Sequence, residues 1–369
     1  MVGETSGQRT VATGGKSVME VNALTWIITI AVIAGFFIFD FYSHVRTPHA
    51  PSMKESGFWT LFYVLLSVAF GVFLWVTWGE PGDPHAHGME FFSGYVTEKA
   101  LSVDNLFVFA LIMGSFKVPP KYQQKVLLIG IALSLVFRGL FIAMGAAIIE
   151  AWSDVFYLFG LFLLIIAAKT VLDEVRDVPE TDPNDMKIIK FIRKVIPVSE
   201  GYESDKLTLR RAGRIMLTPL AVCLVAIGLT DVMFALDSIP AIYGITQEPY
   251  IVFTTNALSL LGLRQMYFLL GGLLERLVYL PYGLGVILAF IGVKMVLHAL
   301  HENNLPFING GEGIHGAPDI STSASLLVIV SVLVITVVAS LIKSRNAVVE
   351  RPERHVLEDA GAEKPAHED

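Results

Sequence analysis

Cysteine is almost missing from this chain: 369 residues contain one, Cys223. A single thiol excludes an internal disulfide framework and a multi-cysteine metal site. Set in an apolar run, it reads as a small buried hydrophobe. Charge is scarce too. Asp, Glu, Lys and Arg make up 17% of the residues and apolar types 54%, whereas soluble domains carry about 25% charged residues. The charges that exist are concentrated between apolar segments, which is the pattern of a membrane protein with the lipid bilayer as its partner. The net charge of −7 leaves no basic footprint for nucleic acid. The apolar segments contain no Ser/His, Cys/His or zinc-hydrolase constellation, so no enzyme is expected. Residues 1–20 lack a basic region leading into an apolar one, and read as a disordered tail rather than a signal peptide. Residues 344–369, charged and carrying Pro352 and Pro365, read as a second disordered tail.

What is present is a series of apolar segments. A helix needs about 20 apolar residues to cross a hydrocarbon core of roughly 30 Å. About nine qualify: 21–43, 57–78, 92–114, 126–149, 154–172, 215–245, 250–273, 279–300 and 322–342. The fold class expected is therefore all-α and polytopic, with one membrane domain over 21–343. With the N-terminus outside, the inner segments hold twenty Lys and Arg, and the outer loops 79–91, 150–153, 246–249 and 301–321 hold none. Positive residues stay on the cytoplasmic side, so the C-terminus is expected inside, at the plasma (inner) membrane. The inner loop 173–214 includes MKIIKFIRKVIPV (186–198), whose apolar and basic residues suit the membrane surface or a solvated linker helix.

The apolar segments repeat a costly arrangement. TEKALSVD (97–104) and TDVMFALD (230–237) both read Thr, acid, five residues, Asp. RGLFIAMG (138–145) matches RQMYFLLG (264–271), and GLFLLIIAAKTVL (160–172) matches GVILAFIGVKMVL (285–297). Residues 92–172 thus recur as 215–300, joined by the 173–214 loop. Each unit has three spans, so the second enters from the opposite face: a 3+3 inverted repeat, the build of many secondary transporters. Chance likeness of apolar segments accounts for matching Leu and Ile, but not for matching acids and arginines, which are rare in lipid.

The candidate ligands are oxygens: Glu98, Asp104, Asn105, Asp231, Asp237 and Asn256, supported by Thr97, Thr230 and Ser238, with Arg138 and Arg264 as counter-charges. Such a set suits hard cations such as Mn²⁺, Mg²⁺ or Ca²⁺. No His or Cys cluster lies at this depth, which disfavours Zn²⁺ and Cu⁺. On a regular helix Glu98 and Asp104 point about 120° apart. Either the helix unwinds or the acids serve successive stations, and Pro240 favours a break in the second copy. Asn256 lines the pathway or bonds a neighbouring helix. Lys99 can snorkel outward, and Lys169 and Lys294, near helix C-termini, read the same way. His85, His87, Glu90, His301, Glu302 and His315 read as solvated outer-loop residues or as cation-gathering groups at the outer mouth.

EKALSVDNLFVF (98–109), ALDSIPAIYGIT (235–246), TNALSLLGLRQMYFLL (255–270) and HALHENNLPFINGG (298–311) resemble the TerC family. The resemblance covers roughly residues 20–343. It implies a polytopic membrane protein associated with tellurium resistance, some members exporting Mn²⁺, and it points to Glu98, Asp104, Asn105, Asp231, Asp237 and Asn256. The function expected is export of a divalent cation, Mn²⁺ above all, by alternating access. No cofactor is expected, Mn²⁺ being cargo. Proton coupling is compatible with buried carboxylates. The alternative is a membrane stress-response or scaffold protein linked indirectly to tellurite. Oligomeric state is open.

Overall fold

A computed structural model describes residues 21–350, apart from 46–50, 80–82, 153, 271–275, 307, 315–317, 319 and parts of 177–213. The expected tails, 1–20 and 351–369, His315 and most of 186–198 lie outside the described residues. The helices are α1 (Ala23–Asp40), α2 (Met53–Thr77), α3 (Ala86–Ser115), α4 (Pro120–Ala151), α5 (Val155–Val175), α6 (Pro219–Tyr243), α7 (Pro249–Leu260), α8 (Leu263–Leu270), α9 (Leu280–His301) and α10 (Thr322–Glu350). The last runs to Glu350, past the expected start of the tail at 344.

Among the described residues, seven helices are long and apolar enough to cross a membrane: α1, α2, α4, α5, α6, α9 and α10. The protein is a polytopic, mainly helical membrane protein. The expected spans 92–114 and 250–273 are not among the seven. The first corresponds to α3, 30 residues long, which carries Glu90, Glu98, Lys99 and Asp104. The second is split into α7 and α8 at Leu261–Gly262, where Gly262 takes φ +80. Only glycine adopts this left-handed conformation without strain, and Tyr63 Cβ lies 2.9 Å from where a Gly262 Cβ would stand.

Pro240 does not break its helix. α6 is continuous from Pro219 to Tyr243. The proline sits in the last turn, and its carbonyl still accepts from Gly244 N at 2.9 Å. At the other end, Thr218 caps α6 by accepting from Ala221 N at 3.3 Å, with Pro219 in the first helical position. One element was not anticipated by the all-α reading. β1 (Thr208–Arg211) pairs antiparallel with β2 (Arg214–Leu217) as a hairpin leading into α6.

The interior is built by six helices. α3 packs on α6 and α7, α4 packs on the same two, and α5 pairs along its length with α9. α1 and α2 flank this core, with Leu24, Ile27, Phe58 and Leu65 exposed on their outer faces, as lipid contact requires. The α5–α9 pair closes on glycines. A Cβ on Gly160 would lie 2.8 Å from the Gly292 carbonyl oxygen, and one on Gly292 would lie 2.9 Å from the Gly160 oxygen. Further along, a Cβ on Gly285 would stand 3.4 Å from the Ala167 oxygen. Small residues let membrane helices approach this closely. Gly160→Leu is therefore expected to cost about 1–3 kcal/mol or more through overpacking, read as a lower melting temperature in detergent. Gly35→Leu, with nothing within 4 Å of its Cβ, is expected to leave that temperature unchanged.

Candidate functional site

The core helices converge on one cation. Arg138, on α4, is fully buried. Its Nη1 donates to Glu98 Oε1 on α3, to Asn256 Oδ1 on α7 at 2.8 Å and to Ser238 Oγ on α6 at 3.3 Å. Its Nε and Nη2 donate to Asp231 on α6, both at 3.5 Å. In the amide orientation that satisfies both of its groups, Asn105 donates to the Leu101 carbonyl at 3.0 Å and accepts from Arg138 Nη2 at 3.2 Å. Ser134, one turn before Arg138 on α4, donates to Asp231 Oδ2. Sequence reasoning did not single out Ser134, although its spacing of four puts it on the arginine's face.

One guanidinium thus gathers an acid from each expected repeat unit, two amides and a serine. Asn256 bonds a neighbouring helix, accepting from Arg138 inside the acidic centre. Asp237 is half-buried on α6, about 9 Å along the axis from Asp231 at 1.5 Å per residue. Asp104 is half-buried on α3, about 9 Å along the axis from Glu98 at 1.5 Å per residue. Both helices are regular here, so the paired acids are displaced along the axis and do not meet at one point. Lys99 does not snorkel outward. Its Nζ donates inward to the Ser259 carbonyl at 2.6 Å and lies 5.8 Å from the Tyr95 ring centre. Thr97 donates to the Ser93 carbonyl at 2.8 Å.

The centre is not fully paired. Glu98 Oε2 and Thr230 Oγ1 are buried with no hydrogen-bond partner among the described residues. Buried polar groups are normally satisfied, so such orphans need a reason. Among the described residues, no three His, Cys, Asp or Glu side chains converge closely enough to hold a metal ion. The arginine stands between the carboxylates instead.

Arg264, matched to Arg138 in the sequence repeat, is placed elsewhere. On α8 it donates to Gln124 Oε1 at 2.6 Å and faces Asp40 Oδ1 at 3.3 Å. Asp40, the last residue of α1, also accepts from Tyr63 Oη at 3.0 Å and from Gln265 Nε2 at 3.2 Å. Arg264 is therefore not a counter-charge to the candidate acids; its acidic partner is Asp40. Asp40 was missed because an acid at the end of an apolar run reads as an interfacial residue.

The outer-loop reading of His87 and Glu90 is also corrected. Both lie in the first turns of α3 and are buried. His87 Nδ1 is 3.2 Å from Glu90 Oε2, which accepts from Thr246 Oγ1 at 2.9 Å. Cys223 is buried, as a small apolar residue would be.

The model of the integral membrane protein TerC family matches residues 84–348. "Uncharacterized membrane protein Rv2723" of Mycobacterium tuberculosis is 46% identical over 331 residues, 89% of this chain and 81% of the relative. "Uncharacterized membrane protein STKORF319" of Myxococcus xanthus is 35% identical over 323 residues, 87% of this chain and 93% of the relative. "Putative membrane-bound redox modulator Alx" of Escherichia coli is 38% identical over 257 residues, 68% of this chain and 78% of the relative. No solved structure matches.

Proposed function

The chain belongs to the TerC family of integral membrane proteins, and on that premise we propose that it exports a divalent cation, Mn²⁺ above all, by alternating access at the Glu98–Asp231 carboxylates. The observation that carries this reading is the meeting of Glu98 and Asp231 on Arg138, with a buried Glu98 oxygen left unpartnered. The four candidate acids of α3 and α6, Glu98, Asp104, Asp231 and Asp237, against Arg138 and the inward-turned Lys99 leave net negative charge in a low-dielectric interior, where an uncompensated charge is costly. A divalent cation offsets it. To bind, the cation competes with Arg138 for the carboxylates, so loading requires the guanidinium to release Glu98 and Asp231 while Asn105, Ser238 and Asn256, which it already contacts, continue to hold it.

The nine-span topology follows if α3 and the α7–α8 pair are taken as the two remaining spans. A broken helix at membrane depth is tolerated where it lines a protein interior, and transporters place sites at such breaks. The reciprocal contacts of α5 and α9 support the inverted repeat. Under the sequence match Gly160 corresponds to Gly285 and Ala167 to Gly292. The contact Gly160–Gly292 then maps onto Gly285–Ala167, which is the second contact made. Likewise α3 on α7 maps onto α6 on α4, and both pairs are in contact. With the N-terminus outside at the plasma membrane, Asp104 lies on the cytoplasmic side of the centre and Asp237 on the outer side. The acids form a file of stations: Asp104, then Glu98 with Asp231, then Asp237.

The protein acts as a transporter and not an enzyme in this reading, with Mn²⁺ as cargo and no cofactor. The relative named a redox modulator raises a different role. A chain with one cysteine has no second thiol for an internal dithiol couple; in the export reading an effect on redox balance would follow from the cation moved. The scaffold alternative predicts no cation binding at all. Electron paramagnetic resonance of Mn²⁺ titrated with purified protein separates the two. Wild type is expected to quench the free-ion signal, and Glu98→Gln to weaken binding about tenfold or more, the effect of losing about 1.4 kcal/mol. Equal signals with and without protein would refute the reading.

A further inference from the structure

The transport site as proposed gives one cation of the core no role beyond its charge. Lys99, on α3, turns inward, and its Nζ donates to the Ser259 carbonyl at 2.6 Å. That carbonyl belongs to the last turn of α7. Helical hydrogen bonding there stops with Leu261 N, which donates to the Ala257 oxygen at 3.1 Å, and Gly262 at φ +80 turns the chain into α8. The break deprives Ser259 of the helical amide that would have followed, and carbonyls at such a helix end carry partial negative charge. The Tyr95 ring centre lies 5.8 Å from the same Nζ, within the range of a cation–π contact. Beside the carbonyl, Ser259 Oγ stands 3.3 Å from Ser102 Oγ of α3. The two helices meet closely here. A Cβ on Gly94 would lie 3.0 Å from Thr255 Cγ2, one turn before Ser259. Glu98, next to Lys99 in the chain, is turned to Arg138 and attracts the ammonium only at longer range.

A carbonyl, a ring face and the negative end of a short helix all attract a cation. Among the described residues no carboxylate pairs with this one, which suits a single charge rather than a divalent ion, whose sites are built on carboxylates. Transporters with broken helices use such helix ends to coordinate Na⁺ or a proton. We infer that the end of α7 is a monovalent-cation site that the chain fills with its own Lys99 ammonium, so that the carboxylate centre beside it needs no Na⁺ or K⁺ as a co-ion. The word co-ion presupposes the export proposed above, whereas the cation site stands on the contacts of Lys99 alone. Asn256, three residues before Ser259, accepts from Arg138. The last turn of α7 is therefore held by two tethered cations, one from α3 and one from α4. Neither can diffuse away, so this turn keeps its counter-charge whether or not cargo is bound.

Thermal melting of the purified full-length protein in the chlorides of choline, Na⁺, K⁺ and propylammonium, at equal ionic strength, tests this. Choline is too bulky for the site, and propylammonium is the part of the side chain that Lys99→Ala removes. Wild type is expected to melt at the same temperature in every salt. Lys99→Ala is expected to melt several degrees lower in choline and to regain most of that loss, saturably, in Na⁺, K⁺ or propylammonium. Lys99→Met, which fills the space without charge, is expected to melt low in every salt. A Lys99→Ala protein that melts alike in all the salts, or as high as wild type in choline, would overturn the inference. Should Lys99→Ala be too unstable to purify, membrane abundance decides: Lys99→Arg is expected near wild type and Lys99→Gln well below it, and equal abundance of these two would overturn the inference. Mn²⁺ binding by wild type is expected to be the same in Na⁺ and in choline, and binding that requires Na⁺ would also overturn it. If wild type binds no Mn²⁺ in either salt, the export reading fails, while the melting result still decides the cation site.

Discussion

Arg138→Met is expected to destabilise the protein by about 3–5 kcal/mol, the cost of leaving buried charge without its partner. Glu98 and Asp231 are both buried against this guanidinium, and Asn256, Ser238 and Asn105 would lose their donor with it. The expected result is a sharp fall in membrane abundance and in the melting temperature of what can be purified. The loss has a specific remedy. Adding Glu98→Gln and Asp231→Asn removes the uncompensated charges, and the triple variant is expected to recover most of the stability, because a buried ion cluster is often replaceable by neutral groups. It is not expected to recover transport. A single Arg138→Met variant as stable as wild type would mean that the arginine is not the counter-ion of these acids.

Asp104→Asn and Asp237→Asn should behave in the opposite way. Both acids are half-buried and displaced from the arginine along their helices, so neutralising either leaves the Arg138 cluster standing. Abundance and melting temperature are expected to stay near wild type, while Mn²⁺ protection of cells that lack their own exporter is abolished. The two groups of variants thus separate stability from transport. Full protection by both Asp104→Asn and Asp237→Asn would remove these acids from the cation route.

The centre was legible because its cost is visible in sequence. Acids and arginines in apolar segments stand out, and their recurrence in TEKALSVD and TDVMFALD pairs Glu98 with Asp231 before any geometry is known. Asn256 and Arg138 follow from the neighbouring segments. What the pattern could not give is which partner each equivalent residue takes in one conformation. Arg138 and Arg264 match in the repeat, yet the first holds Glu98 and Asp231 and the second holds Asp40. The helix break illustrates the same limit. Pro240 suggested that α6 would open, but a proline in a last turn forfeits little. The break occurs instead at Gly262, whose positive φ and close approach to Tyr63 a residue with a Cβ would not accommodate. Ser134 and Gln124 carry no sequence signal of their own, since single polar residues in a span are recognisable only from what they face. The β1–β2 hairpin escaped notice because the loop's basic residues mask its short alternation.

The central claim is that a cation crosses by way of the paired carboxylates. Mn²⁺ flux into proteoliposomes holding purified protein, with Ca²⁺, Mg²⁺ and Zn²⁺ as competitors, tests it most directly. The account predicts saturable Mn²⁺ flux that Mg²⁺ or Ca²⁺ slows more than Zn²⁺ does, and that disappears in Asp104→Asn and in Asp237→Asn of unchanged melting temperature. Folded wild-type protein that passes no Mn²⁺ under a pH gradient of either sign would contradict it, and would leave the acids as organisers of the helix core.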